Sequence, residues 1–460
     1  MKIKADSLAK NVAAKRDWTS GSLLLNLWLL SWPTLIVNTI NALGPTVDMF
    51  WVAKLGSADI AGVGVSGLVI MVVNSLISGL FMGTVALIAR FIGAKDEKTA
   101  NLAAQQAFVV GLVFSFLMAL MGIFLAEPLL KLLGVAPNVV SEGAVYLRIQ
   151  LIGIVTMTAL QIAQSIMQAS GDAMNPLKIS VGYRLLQVIL CPALIFGWSI
   201  FPHLGVSGAA LSNVITQGLG GAIALWILFT GRTRIAVTFR NFRVDWSMIW
   251  RAVKIGIPAS IAFMQRSLAE LILIWFITPF GTIAVAAQSL AQRIDQFIQN
   301  LSGGIGTAGG VLAGQNLGAG KPDRAEKTGW LAVGIATIIS ITCSLIIWLW
   351  VVPILHIFNS EADLVNMAAT FLRIQIVSYL VWGVVISLNM VINGVGDTFI
   401  GMVTNIVTTL GIQLGLAWYL PHATSLGVYG IRWAVVAGIV VRAVVYAVYF
   451  KSGRWKHKRV

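Results

Sequence analysis

Long apolar runs, separated by short polar connections, occupy almost the whole chain. Most are about 20 residues or longer, which is the length that a helix needs to cross the hydrocarbon core of a bilayer. Twelve such runs can be counted, at residues 25–50, 58–88, 102–126, 140–168, 176–198, 206–230, 250–278, 283–312, 328–352, 366–393, 399–420 and 427–450. The pattern predicts an all-α integral membrane protein with twelve transmembrane helices.

The two halves of the chain resemble each other. Three landmarks recur 225 positions apart: Pro33 with Pro258, Gly93-Ala94 with Gly318-Ala319, and Gly171-Asp172 with Gly396-Asp397. Six helices return the chain to the side of the membrane on which it started, so the second half has the same orientation as the first. We therefore expect two pseudo-symmetric six-helix lobes related as parallel repeats, an arrangement typical of membrane transporters.

The same pattern sets the expected domain boundaries. We predict a cytoplasmic N-terminal segment, an N-lobe of helices 1–6, a cytoplasmic basic linker, a C-lobe of helices 7–12 and a basic cytoplasmic tail. These parts span residues 1–24, 25–230, 231–249, 250–450 and 451–460.

The composition excludes a soluble globular domain, since 58% of the residues are hydrophobic and 11% are charged. In a soluble protein the formal net charge of +15 would suggest nucleic acid as a partner. Here the basic residues concentrate in the termini and in the even-numbered connections. The positive-inside rule then predicts a multi-pass protein of the prokaryotic cytoplasmic (inner) membrane with both termini in the cytoplasm. We expect membrane lipids as partners, no nucleic acid, and a monomer.

Motifs for enzyme chemistry are missing from the sequence. It has no phosphate-binding Walker sequence, no Cys/His spacing for a metal and no Ser/His/Asp set on a credible scaffold. Cys191 and Cys343 lie in predicted helices of different halves, where packing thiols are the default interpretation. We expect no enzyme activity, no catalytic residues, no cofactor and no resident metal.

Three acidic residues lie within predicted spans, namely Asp48, Glu270 and Asp295. A carboxylate at membrane depth is costly unless it faces a partner, water or the bundle interior, so such residues are functional candidates by default. Asp48 has no basic residue in its own helix before Lys54, which makes it the acid most suited to gain and lose a proton. The alternative is a structural carboxylate near the outer end of the helix.

The other two acids have basic neighbours along the chain. Glu270 follows Arg266 by one helical turn, and Asp295 lies close to Arg293. These four charged residues of the second lobe are either functional or an internal ion-pair cluster that stabilises it.

Polar and bend-forming residues accompany Asp48 in the first half. Pro33 and Pro45 remove backbone hydrogen bonds from its helix and predict a place to bend. Buried amides need partners, which a cavity can supply as water or substrate, although each can equally join two helices. The candidate amides are Asn38, Asn41, Gln161, Gln164, Gln187 and Asn213, and Cys191 is a further candidate for the lining of such a cavity.

Several motifs resemble those of the multidrug and toxic compound extrusion (MATE) transporters, over nearly the whole chain from Leu30 to about Phe450. In the first half they are Pro33, Asp48-Met-Phe-Trp-Val-Ala-Lys-Leu-Gly56, Ile88-Ala-Arg-Phe-Ile-Gly-Ala94 and Gly171-Asp172-Ala173. In the second half they are Gly256-Ile-Pro258, Gly314-Gln-Asn-Leu-Gly-Ala319 and Asn393-Gly-Val-Gly-Asp397.

This resemblance implies twelve helices in two lobes, alternating access, and export of organic cations or other amphipathic small molecules against protons or sodium. Asp48 matches the first-helix acid that the DinF-like branch uses for cation coupling. Some members of that branch carry a second acid before a proline in the fifth helix, where this chain has Cys191-Pro192. The acids of the NorM-like branch in the seventh and tenth helices fall on Arg266 and Trp382, which disfavours a sodium site of that kind in the second lobe.

The sequence thus predicts an antiporter that exports organic cations or amphipathic drugs by alternating access. Protons are the expected coupling ion, and sodium bound at Asp48 is the alternative. A flippase for lipids or polysaccharide precursors, of the same superfamily, is a second possibility, disfavoured by the twelve spans. A structural or sensory membrane protein is a third, disfavoured by the repeat.

Overall fold

The structure is a computed structural model. It describes residues 16–132, 136–198, 201–240, 242–356, 358 and 361–458, without the side chains of residues 43, 45, 57 and 58. Most of the predicted N-terminal segment, and the side chain of Pro45, therefore lie outside the described residues.

The described residues of the first half form seven α-helices. They are α1 (Leu23–Val52), α2 (Ser57–Gly93), α3 (Glu97–Leu132), α4 (Pro137–Ile152), α5 (Ile154–Ala169), α6 (Met174–Phe196) and α7 (Val206–Phe229). Helices α4 and α5 were predicted as one span, but they are bent by 46° at the intervening Gly153. A side chain at this position would clash, because a Cβ on Gly153 would lie 2.3 Å from Val214 Cγ2.

Among its described residues the second half also contains seven α-helices. They are α8 (Trp246–Ile277), α9 (Thr282–Gly318), α10 (Pro322–His356), α11 (Ala362–Gly394), α12 (Thr398–Ile406), α13 (Gly415–Ala423) and α14 (Val428–Lys451). A π-helix, Val407–Leu414, joins α12 to α13, and short 3₁₀ turns occupy Thr278–Phe280 and Arg454–His457. The eleventh predicted span is thus a helix with a wide turn at its centre.

The predicted number of membrane spans agrees with these helices. Within the described residues ten helical segments are long and apolar enough to cross a membrane, and the bent pair α4–α5 makes an eleventh. The remaining long helix, α9, has 37 residues but is less apolar, because Arg293, Asp295 and several amides interrupt it. With α9 the twelve predicted spans are accounted for, and the all-α membrane fold is confirmed.

Capping residues explain why some helices begin before their apolar runs. The Asp96 carboxylate accepts a hydrogen bond from the Thr99 backbone N–H over 3.0 Å at the start of α3, and hydrogen bonding from Thr99 holds the pKa of Asp96 below its usual value. Asp245 accepts from Met248 N–H over 3.0 Å in the same way, so α8 begins within the predicted linker.

The backbone reproduces the repeat seen in the sequence. Gly171 and Gly396 both have a φ of +89°, and Lys95 and Gly320, also 225 positions apart, have φ values of +61° and +70°. A positive φ is uncommon for residues other than glycine, so its presence at matching positions is informative. The two halves therefore share turn geometry as well as sequence landmarks.

Contacts divide the chain into two compact units. One contains Ile36–Gly256, and the other contains Thr19–Leu35 together with the chain from Ile257 onward. Within the second unit a Cβ on Gly304 would lie 2.6 Å from Leu35 Cα, so glycine allows the start of α1 to approach α9. The prediction assigned all of α1 to the N-lobe, whereas by contacts its beginning groups with the second unit.

The described part of the basic tail is folded. Trp455 is fully buried and stacks on Phe450 with 4.7 Å between the ring centroids, and its Nε1–H donates to the Phe450 carbonyl over 2.9 Å. Lys456 forms an ion pair with Glu326 at 2.6 Å. The tail is therefore held against the start of α10.

Candidate functional site

Asp48 lies at the centre of a buried polar cluster in the first unit. Its side chain is 5% exposed. Asn213 Nδ2 donates to Asp48 Oδ2 over 2.6 Å, and Gln187 Nε2 donates to Oδ1 over 2.9 Å. The Cys191 thiol also donates to Oδ1, with an S···O distance of 3.6 Å. Within the described part of the chain, the side chains that donate hydrogen bonds to this carboxylate are thus two amides and a thiol, none of which carries a charge of its own.

Helical spacing explains why these groups meet. Gln187 and Cys191 are four residues apart on α6, so they lie on the same face of that helix. Asn213 is on α7, and its side chain also donates to the Ala209 carbonyl, one turn earlier, over 3.4 Å. The Asn213 Oδ1 accepts from Gln187 Nε2 over 2.7 Å. The two amides therefore hold each other as well as the carboxylate.

Arg184 is part of this cluster, and sequence analysis did not identify it. Its Nη1 donates to Gln187 Oε1, and its Nη2 donates to the Asn41 carbonyl over 3.4 Å. Gly44 makes room for the guanidinium, since a Cβ there would lie 2.0 Å from Arg184 Nη1. Only cations in the helix of Asp48 were considered from the sequence, whereas this one comes from α6 and is separated from Asp48 by one amide.

The remaining polar candidates of the first half lie in other surroundings. Asn41 Oδ1 accepts from the Tyr183 hydroxyl over 2.6 Å, and Gln164 Nε2 donates to Ser180 Oγ over 3.1 Å. Asn38 and Gln161 are partly buried and make no hydrogen bond to Asp48. The structure thus brings Gln187, Cys191 and Asn213 to Asp48 and leaves the other four amides apart from it.

The first pair of charged candidates in the second unit lies on α8. Arg266 Nε is 3.6 Å from Glu270 Oε1, as their spacing of one turn suggested. Glu270 Oε2 also accepts from Gln292 Nε2 over 2.8 Å. The arginine is exposed and the glutamate partly buried, so this pair resembles an ordinary intrahelical ion pair.

The second pair differs from the expectation. Asp295 Oδ2 is 3.2 Å from Nη1 of Arg432, which lies on α14, and Asp295 Oδ1 accepts from the Tyr379 hydroxyl of α11. The guanidinium also lies over the Phe371 ring, 5.0 Å from its centroid. Arg293 does not pair with Asp295. The two residues are two positions apart and therefore point to different sides of α9, and Arg293 is exposed.

The paired Gly-Asp turns have structural partners. Asp172 accepts from the backbone N–H and the side-chain amide of Asn175, while burial raises its pKa. Asp397 accepts from the Tyr449 hydroxyl and lies 3.0 Å from Lys458 Nζ. These repeated acids therefore fix helix ends and stand apart from the Asp48 cluster.

A duplicated, many-span helical chain with a buried interior carboxylate is an arrangement typical of multi-pass membrane transporters. The MatE family model matches residues 33–193 and 258–419, one segment in each half. The chain belongs to the MatE family of multidrug efflux transporters, whose members are transporters and not enzymes.

Similar proteins cover almost the same length. The chain is 25% identical over 448 residues to the probable multidrug resistance protein YoeA of Bacillus subtilis, covering 96% of this chain and 95% of that protein. It is 28% identical over 450 residues to YpnP of the same organism, also described as a probable multidrug resistance protein, with coverages of 96% and 97%.

A solved structure of an outward-facing multidrug resistance MATE family transporter of the MOP superfamily has a similar fold. The TM-score is 0.89 and the identity 25%, over 95% of this chain and 96% of that one.

Proposed function

We propose that this transporter is an antiporter that exports organic cations or amphipathic drugs, and that protons drive it through Asp48. The observation that supports this is the buried carboxylate and its uncharged partners. Because those partners carry no charge, no cation of the described residues pairs directly with Asp48, and its negative charge is free to be neutralised by a proton or by a cationic substrate. A substrate cation and a proton then compete for the same carboxylate, which is the requirement for exchange.

The hydrogen bonds around Asp48 favour a proton over sodium as the coupling ion. Sodium needs several oxygen ligands at once, as other hard cations do. Around Asp48 the side-chain oxygen of Asn213 already accepts from Gln187, and that of Gln187 already accepts from Arg184. Both amides also direct their NH2 groups at Asp48, so a sodium ion there would require them to turn, whereas a proton requires only one oxygen of the carboxylate.

The available driving force is sufficient for useful export. Each unit of pH difference supplies about 1.4 kcal/mol per proton, and a membrane potential supplies about 2.3 kcal/mol per charge for each 100 mV. Since tenfold in concentration also corresponds to about 1.4 kcal/mol, one proton can support a substrate gradient of tenfold or more.

We propose that the protein lies in the inner membrane of a prokaryotic cell. The bacterial relatives and the basic connections support an inner-membrane location with both termini in the cytoplasm. We further propose that it functions as a monomer of the DinF-like branch, with no cofactor apart from its coupling ion.

The test is efflux of the fluorescent cation rhodamine 6G from proteoliposomes that contain the full chain, with a proton or a sodium gradient imposed separately. We expect efflux with the proton gradient, and its loss in Asp48→Asn. Efflux that depends on sodium alone would contradict proton coupling. No efflux under either gradient would contradict drug export and favour the flippase.

A further inference from the structure

Arg442 is a buried arginine with no carboxylate partner among the described residues. In the second unit Arg266 is paired with Glu270, and Arg432 with Asp295. Arg442, on α14, is 9% exposed and forms no ion pair with any described residue. Its hydrogen-bond acceptors are two hydroxyls: Nε donates to Thr408 Oγ1 over 2.8 Å, and Nη2 donates to Thr409 Oγ1.

The π-helix presents these hydroxyls to α14. Its i→i+5 bonding widens the helical turn, a distortion found frequently at functional sites. Thr408 and Thr409 are consecutive residues near its start, and both reach the same guanidinium. Gly438, one turn before Arg442, permits the approach, since a Cβ there would lie 2.8 Å from Gln413 Cβ.

The hydrogen bonds leave two donor groups, Arg442 Nη1 and the Thr409 hydroxyl, available for a ligand. Thr408 donates its own proton to the Thr404 carbonyl over 2.7 Å, so it can only accept from Arg442. The proton of Thr409 has no such acceptor among the described residues, and Arg442 Nη1 also donates to none of them. Both N–H groups of Arg442 Nη1 and the Thr409 hydroxyl therefore lie close together with unused hydrogen-bonding capacity.

Charge decides which ligand suits these donors. Arginine stays protonated in proteins, and hydroxyl oxygens satisfy its hydrogen bonds without balancing its charge. An ionisable side chain within a membrane span is otherwise paired, or faces a functional site. Carboxylate and phosphate oxygens make the strongest hydrogen bonds to a guanidinium.

We infer that Arg442 and Thr409, supported by Thr408, form a binding site for a single carboxylate or phosphate group. The assignment of this group to an amphipathic substrate that carries an anion rests on the proposed transport function. A headgroup of an anionic lipid has the same chemistry, and the experiment below separates the two sources.

Binding is measured with the purified full chain, first in a non-ionic detergent, using carboxyfluorescein as an aromatic carboxylate and fluorescence anisotropy as the readout. Loss of a hydrogen bond to a charged group is worth about 1.5–3 kcal/mol, so we expect Arg442→Gln to weaken binding by about tenfold or more. Arg442→Lys retains the charge and should lose less. Thr409→Val removes only the hydroxyl and should weaken binding by about threefold to tenfold.

The matched control is Arg373→Gln, which removes an exposed arginine of α11 and should leave the affinity for carboxyfluorescein unchanged. Rhodamine 6G, a cation, should bind Arg442→Gln as well as it binds the unsubstituted chain. If the unsubstituted chain does not bind carboxyfluorescein, or if Arg442→Gln and Thr409→Val bind it as tightly, the site is structural and the inference is wrong. If Arg442→Gln does not fold, the affinity of Thr409→Val for carboxyfluorescein alone decides whether the site binds an anion or is structural.

Proteoliposomes then distinguish substrate from lipid. In vesicles of phosphatidylcholine alone, we expect the chain to export carboxyfluorescein, and we expect added phosphatidylglycerol to leave this export unchanged. Suppression by phosphatidylglycerol would assign the site to a lipid headgroup and overturn its role in substrate binding. If the chain exports rhodamine 6G but does not bind carboxyfluorescein, the anion site alone is refuted. If it binds carboxyfluorescein but does not export rhodamine 6G, the proposed function alone is refuted.

Discussion

Asn213 donates a hydrogen bond to Asp48 over 2.6 Å, the shortest distance between Asp48 and the amides of its cluster. The two residues lie 165 positions apart, on α7 and α1. A donor of this kind stabilises the ionised carboxylate more than the protonated one. Asn213 is therefore placed to set the pH range over which Asp48 exchanges its proton.

Replacement of Asn213 by leucine, which has a similar shape, removes this donor. The protonated form of Asp48 then gains relative to the ionised form, so the pH dependence of rhodamine 6G efflux should move upward by about one to two units. The measurement is efflux at a constant pH difference and varying absolute pH. Gln164→Leu is the control, because Gln164 bonds to Ser180 instead, and its pH profile should not move. An unchanged profile in Asn213→Leu would show that this bond does not tune the exchange.

The sequence predicted the helices well and their partners less well. Apolar length and the repeat were sufficient for twelve spans, and Asp48 was recognisable because no cation shares its helix. The packing of helices decides which side chains meet, and spacing along one helix does not contain that information. Arg184 of α6 and Arg432 of α14 were missed for this reason, and Arg293 was wrongly expected beside Asp295.

Breaking the Asp295–Arg432 pair should destabilise the second unit. Arg432 is 2% exposed, and Arg432→Met leaves a buried carboxylate without its counter-charge, which typically costs about 3–5 kcal/mol. Thermal unfolding of the full chain in detergent should show a lower Tm. The double variant Asp295→Leu/Arg432→Met removes both charges and should recover most of the loss. A double variant no more stable than Arg432→Met would contradict this account.

At the two matched turns of the repeat, we expect a glycine to be more stable than a residue with a side chain. Lys95 has a φ of +61°, where a side chain costs about 1–2 kcal/mol, so Lys95→Gly should raise the Tm. Gly320→Ala should lower it by a similar free energy, and for backbone reasons alone, because a Cβ there would meet nothing within 4 Å. The control is Gly334→Ala, at an equally open position within α10, which should be neutral or stabilising. Equal effects of Gly320→Ala and Gly334→Ala would refute the backbone argument.

Trp455 should determine whether the tail stays folded. Removing a fully buried tryptophan costs about 3–5 kcal/mol where the surroundings do not collapse. Trp455→Ala should release the residues around it, so trypsin should cleave faster after Arg454, Lys456 and Lys458, as followed by mass spectrometry. Trp250→Ala, at an exposed position of α8, is the control, and trypsin should cleave its tail at the original rate. If both variants are cleaved alike, the stacking on Phe450 does not hold the tail.

Proton exchange at Asp48 is tested most directly by following protons instead of substrate. The full chain is reconstituted with a pH indicator inside the vesicles, and a rhodamine 6G gradient is imposed without any pH difference. We predict that substrate leaving the vesicles drives protons in, so the interior acidifies, and that Asp48→Asn abolishes this change. Acidification that persists in Asp48→Asn, or substrate movement by the unsubstituted chain without any change in internal pH, would contradict the role of Asp48.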